Sequence, residues 1–266
     1  MKRGIETIAV DGFAVEFSVI GEGEPILVFH GGHSNCKEEF GYESLIENGY
    51  SIITPSRPGY GGTSKELGES LATACHYYYQ LLNHLKISRV HVLAISAGGP
   101  TGIYFASKYP EMVQTLTLQS AVTKKWLTPQ DMEYRIARVL FHPKIEEYTW
   151  KLLSIMNNLF PRFIFKQMLP SFSNLTYREA IGQIHWMDIE EIRLMNNRQR
   201  SGYGFFIDLE QINKISSVNL QSISCPTLVV HSKYDGSVPF DHAKFAHEHI
   251  PYSALYPTDS WGHLIW

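Results

Sequence analysis

Hydrophobic positions along this 266-residue chain follow two periods that alternate. The stretches "ETIAV" and "FAVEF" alternate apolar and polar residues on either side of Asp11-Gly12, a pair suited to a tight turn, and predict a β-hairpin at a sheet edge. Beyond it the strand-like runs become continuous in apolar residues: "PILVFH" (25–30), "YSIITP" (50–55), "RVHVLAI" (89–95), "VQTLTLQ" (113–119) and "PTLVVHS" (226–232). Such runs suit strands covered on both faces. Helical periods lie between several of them. In 70–86, Leu71, Ala74, Cys75, Tyr78, Leu81, Leu82 and Leu85 recur behind a Ser70 cap, and a second helix is predicted from Ala97 to Tyr109, stopped by Pro110. Strands alternating with helices imply right-handed βαβ units. The predicted fold is α/β, with a mostly parallel central sheet and helices on both faces.

One gap breaks this rhythm. From about 121 to 215 no strand is predicted, and the segment is far longer than an ordinary connection. Thr128-Pro129-Gln130-Asp131 reads as a capping box with proline at the first helical position, followed by Met132, Ile136, Val139 and Leu140. "KIEEYTWKLLSIMNNLF" and "TYREAIGQIHWMDIEEIRLMNN" also read as helices, and the segment holds five of the seven methionines and three of the five tryptophans. The expected organisation is a core of 1–120 and 216–266 with a helical cap, 121–215, facing an apolar cleft. Trp126 and Trp186 are candidate substrate contacts within it.

Composition narrows the partners. With 44% hydrophobic residues, 18% charged residues and a formal charge of −3, the chain has no basic field for nucleic acid. No apolar run is long enough to span a membrane, and Glu6 and Asp11 interrupt any signal-peptide core, so a cytoplasmic protein is expected. Cys36, Cys75 and Cys225 are odd in number and far apart, and read as free thiols in the core. His242, His247 and His249 do not share a helix face, and no metal or other cofactor is expected. The glycines of "SRPGYGGTS" (56–64) match neither nucleotide motif and read as a turn that shapes the fold. A small molecule is the expected partner, with a homo-oligomer possible.

The chemistry centres on "RVHVLAISAGGPTG" (89–102), where a buried strand ends in one hydroxyl, Ser96, and breaks into small residues. A sharp turn from strand into helix holds a nucleophile in a strained conformation, and its flanks must be small because strand and helix nearly touch. The stretch Ala94-Ile95-Ser96-Ala97-Gly98 resembles the nucleophile elbow of the α/β-hydrolase superfamily, Gly-x-Ser-x-Gly, with alanine at the first small position. A serine hydroxyl needs a base, an orienting carboxylate and donors for the oxyanion. The resemblance supplies all three in the superfamily's order of serine, acid and histidine. The acid is Asp235 in "HSKYDGSVP", with Asp259 as its rival, and the base is His263 in "DSWGH".

By the same resemblance "VFHGGHSN" is the oxyanion loop, with the amides of Gly32 and Ala97 as donors. His30 then reads as structural, and His33 as a substrate-binding candidate. What the resemblance implies is a serine hydrolase of esterase type, acting on a small and largely apolar substrate through an acyl-enzyme. Carbon–carbon bond hydrolysis by the same triad, and ligand binding without catalysis, stay open, because fold and triad do not fix a substrate.

Overall fold

The computed structural model describes residues 3–266. Strands β1 (Gly4–Val10) and β2 (Phe13–Gly21) form the predicted antiparallel hairpin. Asp11 and Gly12 take φ values of 50° and 83°, the positive pair that a two-residue turn between twisted strands requires. There follow β3 (Glu24–Phe29), the short helix α1 (Glu43–Glu47), β4 (Tyr50–Pro55), α2 (Leu71–His84), β5 (Val90–Ile95), α3 (Gly99–Lys108) and β6 (Val113–Gln119). Ser70 caps α2 by accepting the Thr73 N–H. After a long helical segment come α10 (Ser217–Gln221), β7 (Thr227–Ser232), α11 (Asp241–His249) and β8 (Ser253–Thr258). The eight strands form one sheet in the order β1-β2-β4-β3-β5-β6-β7-β8. All pairs from β4 to β8 are parallel, and β2 meets β4 antiparallel.

The continuous apolar strands divide by the two-residue period into two cores. Leu27, Phe29, Val92, Ala94, Leu116 and Leu118 meet Tyr78 and Leu82 of α2 and Ile103 and Phe105 of α3. On the opposite face Ile26, Val28, Ile52, Leu93 and Ile95 meet Phe40 and Tyr42, with Leu45 and Ile46 of α1 beside them. Coverage of that face is uneven: over its β7–β8 end Leu228 and Tyr256 are 41% and 62% exposed. The three cysteines are buried and unpaired. His242 is also buried, its Nδ1 accepting the Thr123 N–H, so α11 packs this histidine against the loop after β6. No helix of the described residues is long and apolar enough to cross a membrane.

Between β6 and β7 lie α4 (Met132–Leu140), α5 (Glu146–Leu159), α6 (Pro161–Phe172), α7 (Tyr177–Ala180), α8 (Trp186–Arg198) and α9 (Gly204–Gln211). Two expectations change here. The Thr128 to Asp131 stretch is a turn closed by the Asp131 carboxylate on the Thr128 N–H and hydroxyl, and α4 starts after it. The apolar periodicity of α4 also faces outward. Met132, Ile136, Val139 and Leu140 are exposed, while Tyr134, Ala137 and Phe141 turn inward. Helix α5 does the same, burying Glu146, Trp150 and Asn157 and exposing Tyr148, Leu152, Ile155 and Leu159.

Phe105 is fully buried between Phe29 and Tyr109, with ring centroids 5.9 and 5.1 Å away. Phe105→Ala is expected to cost about 3–5 kcal/mol. Urea unfolding should show a lower midpoint at unchanged slope, and a loss below about 1 kcal/mol would contradict this packing.

Candidate active site

Strand β5 delivers Ser96 into a tight turn where its backbone takes φ 50°, a conformation that costs a side-chain-bearing residue energy. The turn fits only because its neighbours are small. A Cβ on Gly98 would lie 2.2 Å from the Phe29 carbonyl oxygen, and one on Gly99 2.2 Å from that of Val122. Alanine at 94 is accommodated from the helix side: its methyl lies 2.5 Å from where a Cβ on Gly102 would sit, so Gly102 leaves the room that Ala94 takes.

His263 stands beside the serine. Its Nε2 lies 2.9 Å from Ser96 Oγ, and its Nδ1 lies 2.7 Å from Asp235 Oδ2. A carboxylate only accepts, so Nδ1 carries the proton and Nε2 presents its lone pair to the hydroxyl. Asp235 is fully buried, and its Oδ1 accepts the Ser237 and Val238 N–H groups at 2.8 Å each. His231, a residue the sequence reading missed, approaches Oδ2 at 3.0 Å through Nε2 while donating to the Val238 carbonyl at 2.8 Å. Burial pushes the Asp235 carboxyl up, but the charges and hydrogen bonds of His263 and His231 outweigh it and hold the pKa at about 2. The rival Asp259 is exposed and paired with Lys233 at 2.8 Å.

The loops bearing Asp235 and His263 are both held by the end of α6. The last carbonyls of a helix have no partner within it. That of Phe172 accepts the N–H of Gly236 at 3.0 Å and the N–H of His263 at 2.8 Å. Cβ atoms on Gly236 and Gly262 would lie 2.7 Å from Ser173 N and 2.5 Å from the Phe172 oxygen, so glycine is required at both contacts. Asn174 adds bonds to the Tyr234 and Asp235 carbonyls at 2.9 and 2.8 Å. No sequence signal ties 172 to 263.

On the other side of Ser96 runs the loop after β3. Gly31 packs against the serine, with its Cβ position 3.4 Å from Ser96 Cβ, and Gly32 faces Ala97. His30 is buried and structural: Nδ1–H donates to the Gly31 carbonyl at 2.7 Å and Nε2 accepts the Arg57 N–H at 2.9 Å. Burial, with the Arg57 charge, keeps it neutral by lowering its pKa well below 6.5. Arg57, from the segment read as a turn, fixes this loop. Its guanidinium donates to the His30 and Gly31 carbonyls at 2.8 and 3.0 Å and forms a buried two-armed bridge with Asp208 of α9, whose second oxygen also accepts the Tyr60 hydroxyl at 2.6 Å. An arginine at the end of a buried strand was the one available signal. Its partner, about 150 residues on, had none.

Ser96, His263, Gly32 and Ala97 open on a cavity of about 320 Å³. Trp126, Phe141, Trp150, Met168, Met195 and Phe205 line it from the segment between β6 and β7, and Trp266 from the other side. His33 also lines it, clamped between Phe141 and Phe205 at centroid distances of 4.2 and 4.4 Å. Burial, then the Arg57 charge, lower its pKa to about 3. Trp186 is not at the cavity. It begins α8 on the outer surface, 53% exposed under the Arg162 guanidinium, because α8 turns Ile192 and Asn196 inward instead.

Comparison with known proteins agrees with this architecture. A family model described as alpha/beta hydrolase fold matches residues 24–143. The uncharacterized hydrolase YcgS of Bacillus subtilis (strain 168) is 60% identical over the whole chain, which spans 94% of that protein. A 2-hydroxy-6-oxo-6-phenylhexa-2,4-dienoate hydrolase of Comamonas testosteroni is 26% identical over 86% of the chain and 78% of its own length. Among solved structures, an alpha/beta hydrolase fold protein from Nakamurella multipartita superposes with a TM-score of 0.83 at 26% identity, covering 98% of this chain and 92% of that one. The elbow, the parallel sheet and these relatives together place the chain in the alpha/beta hydrolase fold family.

Proposed function

We propose that the protein is a serine hydrolase that cleaves a small, largely apolar ester through an acyl-enzyme on Ser96. The observation that carries this reading is the unbroken chain of hydrogen bonds from Ser96 Oγ through His263 to Asp235. Ser96 attacks the acyl carbon as His263 Nε2 takes its proton. His263 then gives that proton to the leaving alcohol, and water repeats the sequence to release the acid. Asp235 holds the Nδ1–H tautomer and stabilises the imidazolium without taking the proton. The amides of Gly32 and Ala97 are the oxyanion donors, each worth roughly 3 kcal/mol in the transition state.

The segment 121–215 is a cap on a core of 1–120 and 216–266. Its aromatic and methionine side chains on the cavity wall select apolar groups, because an unpaired charge there would be desolvated. Carbon–carbon bond hydrolysis is the second reading, favoured by the likeness to the Comamonas testosteroni enzyme. The same triad serves both.

A fluorophosphonate should label Ser96 in the folded protein, and absence of an adduct would overturn the hydrolase reading. Ser96→Ala and His263→Ala should each lower kcat by several powers of ten and the double variant hardly further, whereas additive losses would contradict a concerted triad. Asp235→Asn should cost orders of magnitude where Asp259→Asn costs little.

The cavity walls set the chain-length dependence. With p-nitrophenyl esters, kcat/KM should rise about fourfold per methylene, from ~0.8 kcal/mol each, until the cavity is full, and then fall. A flat profile would remove the cap from substrate choice. A dienoic diketone assayed beside the series separates the two readings.

Asp235 also sets an acid limit on stability. Its folded pKa of about 2 lies below the ordinary value near 4, so the stabilisation is present above pH 4 and lost as the pH falls toward 2. In urea unfolding across that range, the stability gap between wild type and Asp235→Asn should narrow by about 2 kcal/mol. A gap independent of pH would contradict the ion-paired carboxylate.

A further inference from the structure

The imidazole of His33 has a fixed hydrogen-bonding direction. Its Nδ1 lies 2.7 Å from Ser201 Oγ, and the indole N–H of Trp150 donates to that same oxygen across 2.8 Å. Trp150 can only donate, so Ser201 accepts from it, and the Ser201 hydroxyl has one proton left to place. Ser201 is fully buried, and the acceptor opposite that proton is His33 Nδ1. The other tautomer would set Nδ1–H against Oγ and leave a buried hydroxyl proton unpaired. Nδ1 therefore accepts, and the neutral ring carries its proton on Nε2. Among the described residues Nε2 has no hydrogen-bond partner, and it is not one of the buried atoms lacking one, so it opens on the cavity that His33 lines.

The ring cannot turn to change this. It is stacked on Phe205 at an interplanar angle of 27° and flanked by Phe141 and Trp150. Its backbone takes φ 60°, in the left-handed region, with its N–H on the Tyr60 hydroxyl at 3.3 Å and its carbonyl accepting the Arg200 N–H at 2.8 Å. Gln199, Ser171 and Ser237 also line the cavity, but an amide or hydroxyl both donates and accepts. His33 only donates. Glu38 and Asp208 share the wall, so a neutral oxygen is a better match to this donor than a carboxylate.

We propose that His33 Nε2–H binds a second, neutral oxygen of the substrate, an ether, keto or ester oxygen in the acyl chain or the alcohol part. The protein then prefers oxygenated esters to hydrocarbon esters of the same length. This deepens the serine-hydrolase reading and rests on it. A strained, clamped, single-tautomer imidazole beside the oxyanion loop is more than packing requires.

The test uses isosteric pairs, so that only one methylene becomes an oxygen. On the acyl side, p-nitrophenyl pentanoate is compared with the ethoxyacetate and the 3-methoxypropanoate. On the alcohol side, butyl acetate is compared with 2-methoxyethyl acetate. The reading is the ether-to-hydrocarbon ratio of kcat/KM in wild type divided by the same ratio in His33→Phe, which cancels the intrinsic reactivity of each ester. For at least one pair this quotient should be about ten, the worth of one neutral hydrogen bond.

A quotient within twofold of unity for every pair overturns the proposal, including the case in which His33→Phe slows ether and hydrocarbon alike. Ser201→Ala, which keeps the ring but frees its tautomer, serves if His33→Phe does not fold and should lower the same ratio. If no ester is turned over and Ser96 takes no fluorophosphonate, the hydrolase reading fails separately. The same pairs titrated against Ser96→Ala protein by tryptophan fluorescence then give the quotient as dissociation constants. Independently of activity, nitrogen-15 spectra should show His33 neutral and protonated on Nε2 at pH 5, and a Nδ1-protonated or cationic ring would overturn the assignment.

Discussion

The geometry of the site depends on one carbonyl group. The Phe172 oxygen, left without an intrahelical donor at the end of α6, accepts from both Gly236 and His263, and so ties the loops of Asp235 and His263 to the same atom. Neither loop has a regular element to fix it at that point. Sharing an acceptor holds them in register, and the glycines at 236 and 262 let the chains come that close. The segment that walls the cavity thus also sets the spacing between Asp235 and His263. Access to the site and alignment of its groups have a common structural origin.

A second tie runs through Arg57. Its buried guanidinium joins the loop carrying Gly31 and Gly32 to α9, with Asp208 neutralising it and Tyr60 completing the carboxylate's bonds. A buried ion pair is weak evidence for net stability, because desolvation offsets the attraction. Its clearer consequence is geometric: four hydrogen bonds leave one planar group, so the loop beside Ser96 and the helix behind the cavity cannot move independently. His33, two residues beyond Gly31, inherits that rigidity.

Helices α4 and α5 turn much of their apolar surface outward. Helix α5 places Glu146 and Trp150 inward because both serve Ser201, the glutamate by accepting its N–H at 2.8 Å and the indole by donating to its hydroxyl. Polar work on the inside displaces Tyr148, Leu152, Ile155 and Leu159 to the surface. Hydrophobic periodicity located these helices, but the apolar set of α4 faces outward and that of α5 is split, with Trp150 and Leu153 on the cavity wall.

By itself the sequence determined the strands, the hairpin, the parallel order of βα units and the position of Ser96, because these follow from local periods, turn residues and steric rules acting over a few residues. The order of the serine, acid and histidine candidates came from the resemblance of the elbow and its following loops to the α/β-hydrolase superfamily. The tertiary structure decided what depends on distant pairs: the contact of His263 with Asp235, the bond of its N–H to Phe172, the Arg57–Asp208 bridge, the place of His33 against Ser201 and the outward position of Trp186. Each of these is a contact between segments whose separation along the chain leaves no periodic trace. Such contacts are selected by packing and by the need to pair every buried polar atom, and they appear only once the chain is folded.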